Sequence, residues 1–284
     1  MPMKSFFCIA PSSASAAVSA MRAARLQAGS AHVPSLVANH RDPEIVDDEM
    51  TAVRFVDASG AVIATLVAYP CHPEVLDPES PDVTADYPGH LCREVETRDG
   101  GIAVFVSGDL GGMQSPATEH RTHEEAHRFG RVLADAVGDC LQDSQDDTLA
   151  FARMSLPIDL DNPMYRHLIA AGVVAPVEWR GDEVLTEVSL TRIGPVTLAA
   201  VPGELLPRLG LMVRQQLRAA GSPLPAIVGL ADDELGYILA AEDFVEPADY
   251  LDPGRQYEES MSPGRGTGPA VMGALTELIP AVLP

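Results

Sequence analysis

Lysine is almost missing from this chain: Lys4 is the only one, and arginine carries the remaining positive charge. Acidic residues outnumber basic ones by 41 to 19, for a formal net charge of −22. That balance argues against nucleic acid as a partner, since a phosphate backbone would be repelled, and it disfavours wide contact with anionic lipid. Cysteine is scarce as well. Cys8, Cys71, Cys92 and Cys140 show no Cys-x-x-Cys spacing, which excludes a zinc ribbon or a thioredoxin-like motif and requires no disulfide framework. Long apolar runs are absent, so no segment reads as a transmembrane span. The apolar stretch before Pro11 is too short for a secretory signal, and a cytoplasmic location is expected unless the true start lies upstream.

What is present is an ordinary globular composition over 284 residues, enough to bury a sizeable core and read here as one domain over 1–284. Two apolar, β-branched runs, 51–56 and 61–68, flank Asp57 to Gly60 and read as a hairpin. Asp86 and Pro88 open a helix to about Thr97, and 102–106 reads as a short buried strand. Helical periodicity runs from about His120 to Leu141. A second hairpin is expected over 185–190 and 196–201, then a helix over 205–219, a strand over 226–230 and a last helix over 269–279. No internal repeat is visible. The alternation predicts an α/β fold, a mixed sheet with helices packed on its faces.

Chemistry-bearing residues cluster after strands, where open α/β sheets place their functional loops. His72 follows the apolar run 61–68 and sits between Pro70 and Pro73, so its imidazole is rigidly presented. Three further loops show the same pattern: Gly108 to Ser115, Glu204 ahead of a helix, and Asp232 to Tyr237. Together they offer an imidazole, a hydroxyl, a carboxylate and a phenol, and one nitrogen with oxygen donors suits zinc.

The order of these segments resembles the neutral/alkaline, non-lysosomal ceramidase family. The motifs that carry the likeness are Ala68 to Pro73, Thr84 to Gly89, Gly112 to Pro116, Val201 to Glu204, Val228 to Tyr237 and Gln256 to Ser260, clearest over 38–260. The resemblance implies a zinc-dependent hydrolase of N-acyl amide bonds, acting on a lipid or another small acyl-amide. By position it implies zinc contacts from His72, Glu204 and Tyr237, a nucleophilic hydroxyl at Ser115, an arginine near the substrate carbonyl at Arg41 and a substrate-positioning tyrosine at Tyr257. The family's His-x-His segment has no counterpart in this chain, so an N-terminally incomplete catalytic domain is expected. A sheet edge uncovered in that way would favour oligomers, and a non-catalytic family member is the alternative reading.

One motif competes. His123, Glu124 and His127 match His-Glu-x-x-His, the zinc-peptidase helix. The apolar stripe of that helix is Ala126, Phe129, Val132 and Leu133, and the histidines lie beside it, which reads as a solvated face.

Overall fold

The computed structural model describes residues 9–76, 80–173 and 179–283. The first half of the chain runs α1 (Ile9–Ser19), β1 (Ala24–His32), β2 (Val37–Asn39), β3 (Glu49–Asp57), β4 (Val62–Tyr69), α2 (Asp86–Asp99), β5 (Ile102–Ser107), β6 (Gln114–Pro116), α3 (His123–Cys140) and β7 (Gln142–Ser144). The second half runs β8 (Leu149–Asp159), α4 (Pro163–Ala170), β9 (Trp179–Arg180), β10 (Glu183–Ile193), β11 (Val196–Ala200) and β12 (Glu204–Leu205). It closes with α5 (Pro207–Ala219), β13 (Leu224–Val228), β14 (Tyr237–Ile238), α6 (Tyr257–Ser260) and α7 (Thr267–Val282).

Two mixed sheets form the frame, one ordered β5-β4-β3-β1-β7 and the other β13-β11-β10-β8, with β9 on β10. Period-2 side-chain alternation assigns their faces. Met50, Ala52, Val67 and Tyr69 turn toward α2 and α3, which supply Tyr87, Leu91, Val95, Phe129 and Leu133. Val53, Phe55 and Leu66 turn the other way, onto Val196, Leu198 and Leu224 of the second sheet. The outer face of that sheet, with Val188, Leu190 and Ile227, is covered by Leu209 and Val213 of α5 and Val271 and Leu275 of α7. The result is four layers, helices, sheet, sheet, helices, so the mixed-sheet α/β expectation holds.

The two halves repeat one topology. Each has a strand antiparallel to the first arm of a hairpin (β1 on β3, β8 on β10), and the hairpin itself is β3/β4 or β10/β11. Each then crosses through a helix, α2 or α5, to an edge strand parallel to the last hairpin arm, β5 on β4 or β13 on β11. No repeat shows in the amino acids because the duplication lies in strand order, which many sequences satisfy. Gly108 and Gly229 follow β5 and β13 at equivalent places, and their backbones touch: Gly229 N–H donates to the Ser107 carbonyl at 3.0 Å. A Cβ on Gly229 would lie 2.4 Å from the Gly108 oxygen, so this seam needs glycine.

Three local expectations shift. Strand β5 is not buried: Ala103 and Phe105 pack under α2, whereas Ile102 and Val104 are 64% and 44% exposed at the sheet edge. Asp86 does not cap α2 from outside; it lies inside the first turn at φ 50°, and its carboxylate takes the N–H groups of Val75, Leu76 and Tyr87. Helix α3 starts at His123 because Thr122 caps it, accepting from Glu125 N–H at 3.2 Å. Among the described residues, no helix is long and apolar enough to cross a membrane.

One buried charge ties α5 to the first sheet. Arg214 is excluded from water, and its Nε donates to Asp47 at 2.8 Å while one Nη donates to the Glu49 carbonyl at 3.2 Å. Asp109 is buried near enough to feel the same positive charge, with neither carboxylate oxygen bonded to a donor. Burial, and next the negative charge of Asp47, push its carboxyl well above the usual range, with Arg214 opposing. Asp109 therefore keeps its proton in the folded protein. Arg214→Met is expected to cost about 3–5 kcal/mol in urea unfolding, because Asp47 is left as a buried charge without a partner. A raised folded pKa contributes stability at low pH that is lost as pH rises through it. Parent stability should therefore fall more steeply than that of Asp109→Asn as pH rises above the ordinary aspartate range of about 4. Equal slopes would overturn the assignment of a neutral Asp109.

Candidate active site

The site lies where the loops after β4, β5, β11 and β13 converge, at the C-terminal ends of both parallel strand pairs. His72 comes three residues after β4, and Glu204 opens β12 after β11; each stands two residues past a proline, Pro70 and Pro202. They occupy equivalent positions in the two halves, and they meet: His72 Nε2 is 3.1 Å from Glu204 Oε2. The other ring nitrogen and the backbone N–H of His72 both reach the Gln114 carbonyl, each at 2.9 Å. An Nδ1–H bonded to a carbonyl commits that ring nitrogen and leaves Nε2 to face Glu204. Burial works against the charged ring, but Glu204 and the Gln114 carbonyl outweigh it, so the His72 pKa is raised.

Strand β12 pairs in parallel with β14, and the register places Glu204 directly beside Tyr237. The pairing is tight at Gly203, where a Cβ would lie 2.4 Å from the Gly236 oxygen. The Tyr237 hydroxyl has the Met113 sulfur within reach, at 3.9 Å. Burial first, then the Glu204 charge, raises its pKa, so the phenol is protonated. Its ring meets that of Tyr257 edge-on, with centroids 5.9 Å apart.

Ser115 lies on β6 opposite Ala38 of β2, and its hydroxyl donates to Glu74 at 2.5 Å. Arg41 is held on the far side by Glu258 at 2.7 Å and Glu259 at 2.8 Å, with its side chain only 9% exposed. Tyr257 is 47% exposed and faces a cleft of 540 Å³ whose wall also includes Arg41, Met113, Asp243, Glu258 and Glu259. The folded chain thus groups His72, Glu204 and Tyr237 by direct contact, joins Tyr257 to them through Tyr237, and puts Arg41 across the same cleft.

Two neighbours escaped the sequence reading. Gln114 holds His72 by its carbonyl, and its side chain bonds Pro70, Asp109 and the Asp47 N–H. Nothing in an amino-acid pattern announces a role played by a main-chain oxygen. Glu74 accepts the hydrogen bond of the Ser115 hydroxyl; a carboxylate two residues past the rigid histidine was the available signal.

Donor geometry fits a metal with nitrogen and oxygen ligands. Two ligands at tetrahedral positions around zinc lie about 3.3 Å apart, and the His72–Glu204 separation is 3.1 Å. Among the described residues, no three His, Cys, Asp or Glu side chains are placed to hold a metal ion; beside the His72–Glu204 pair, the Tyr237 phenol stands in register with Glu204.

The His-Glu-x-x-His helix is placed otherwise. His123 bonds Asp82 and His127 bonds Glu94, each at 3.0 Å, and all four side chains are at least 40% exposed. The two imidazoles serve different carboxylates on the surface.

No protein-family model matches the sequence, and no curated protein does. Solved structures are similar to it. The neutral ceramidase from Pseudomonas aeruginosa superposes with a TM-score of 0.74 at 16% identity, covering 99% of this chain and 56% of that one. A ceramidase complexed with C2 gives 0.69 at 15% identity, covering 91% and 53%. The fold is ceramidase-like, and the chain spans about half the length of the solved structures it matches.

His123→Ala is expected to leave metal content and any hydrolytic activity unchanged. Loss of zinc in that variant would show that the surface helix holds the metal.

Proposed function

We propose that this ceramidase-like fold supports zinc-dependent hydrolysis of N-acyl amide bonds, with His72, Glu204 and Tyr237 holding the metal. The observation that carries this reading is the set of bonds on His72: Nδ1 is committed to a carbonyl, and Nε2 is aimed at a carboxylate from the other half of the chain. Zinc in such a site supplies Lewis-acid polarisation of a carbonyl oxygen.

The chain's own residues would do the rest. Ser115 already gives its hydrogen to Glu74, the arrangement of a nucleophile with an adjacent general base. Tyr257 and Arg41 border the cleft where the amide would lie, and the Arg41 guanidinium is fixed by two carboxylates instead of moving freely. A preset donor costs no reorganisation as charge develops on the carbonyl oxygen. Tyr237, buried and protonated until a cation arrives, would carry a donor oxygen to the same point.

A binding protein without hydrolysis is the second reading, favoured by one observation: among the described residues, a single imidazole reaches the site. Metal analysis of purified, folded protein separates the outcomes. We expect about one zinc per chain, lost in His72→Ala and in Glu204→Ala, and cleavage of N-acyl amides that slows by about 10²–10⁴-fold in Glu74→Gln. Folded protein that takes up no zinc would refute the metal assignment. Zinc uptake without cleavage of any amide leaves the binding reading.

A further inference from the structure

Cleaving an amide through a serine requires protons to move at both ends of the reacting bond. Glu74, which accepts from the Ser115 hydroxyl, serves the attacking oxygen. The leaving nitrogen must gain a proton as the C–N bond breaks, since an amide anion is too basic to depart alone.

The carboxylates in the cleft wall are already committed. Glu258 and Glu259 hold Arg41, Asp42 lies 3.5 Å from Arg255, and Asp243 is paired with Arg208. The same wall includes one imidazole, the exposed His40. Among the described residues, nothing is hydrogen-bonded to its ring. Imidazole is the side chain that ordinarily gives and takes protons near neutral pH.

Local structure presents His40 firmly. The Asn39 side chain donates to the Ile45 carbonyl and accepts from Arg41 N–H at 2.9 Å, an Asx turn with His40 at its tip. The His40 N–H extends the β2–β6 pairing by one residue, onto the Met113 carbonyl at 3.4 Å. In that register Ser115 stands opposite Ala38, and residues two apart on a strand share a face, so His40 is a diagonal neighbour of Ser115. Diagonal neighbours lie about 7–8 Å apart, within reach of an aromatic side chain. The Met113 sulfur, 3.9 Å from the Tyr237 hydroxyl, ties this end of the ribbon to the site.

We propose that His40 is the general acid for the leaving amine. Its imidazolium protonates the nitrogen as the C–N electron pair moves there, which leaves a free amine, an ester on Ser115 and protonated Glu74. Neutral His40 then takes a proton from the attacking water. As the ester C–O bond breaks, Glu74 returns its proton to the Ser115 oxygen, and the carboxylic acid departs. The proposal rests on the hydrolase reading above and names a further catalytic residue for it.

Two substrates with one acyl group test it on the full, zinc-loaded chain. N-butylhexanamide needs a proton on its leaving group, whereas p-nitrophenyl hexanoate does not. His40→Gln should slow the amide by about 10²–10⁴-fold and the ester by less than about threefold, with zinc content unchanged. Added imidazole should restore part of the amide rate in His40→Ala. Equal slowing of both substrates overturns the general-acid role and leaves the hydrolase reading standing. Loss of zinc in His40→Gln also overturns it, by making His40 a support of the metal. A parent that cleaves no amide refutes the hydrolase reading, and the role of His40 falls with it.

Discussion

A guanidinium shut away from water holds this molecule's working parts in register. Arg214 reaches from α5 to Asp47 and to the carbonyl of Glu49, and its charge also acts on the buried Asp109. Asp47 in turn gives its N–H to the Gln114 side chain, whose amide group donates to Pro70 and Asp109. The Gln114 carbonyl then fixes His72 twice. One ion pair and four segments thus determine where a single imidazole points. Buried polar networks rigidify the segments they join, and here the raised pKa of Asp109, whose carboxylate oxygens lack donors, limits the excess of negative charge.

Much of the frame was legible from the chain alone, for physical reasons that also explain the gaps. The apolar, β-branched runs around Asp57 to Gly60 and around Gly194 could hardly be anything except hairpins, and they are. By contrast β1, with Ala24, Gln27, Gly29 and Ser30, has little strand character of its own and exists because β3 and β7 flank it. Strand β5 is as apolar as a core strand yet ends the sheet, because apolar content does not say what covers a face. The pairing of Glu204 with Tyr237 rests on two residues per strand, too short for any periodicity to reveal. His72, Glu204 and Tyr237 were legible as polar residues in loops after strands, their role as ligands came from family resemblance, and their meeting is a product of topology.

Fold and wall chemistry carry separate information. The ceramidase-like frame accounts for where the loops meet, since two crossover helices force both parallel strand pairs to end on one side. It does not determine what lines the cleft. Asp42, Glu258 and Glu259 lie in irregular or one-turn segments that the frame tolerates with many residue types.

The duplicated topology has a mechanical consequence. His72 belongs to one half and Glu204 to the other, at equivalent places, so neither half can grip an ion alone. Anything bound between them is a clasp across the seam where Gly108 meets Gly229. Its binding free energy adds to the docking of two sheets, by linkage, and removing it loosens them. With the proposed zinc in that place, occupancy would contribute to the integrity of the sandwich, and a chelator would weaken the docking of its two sheets.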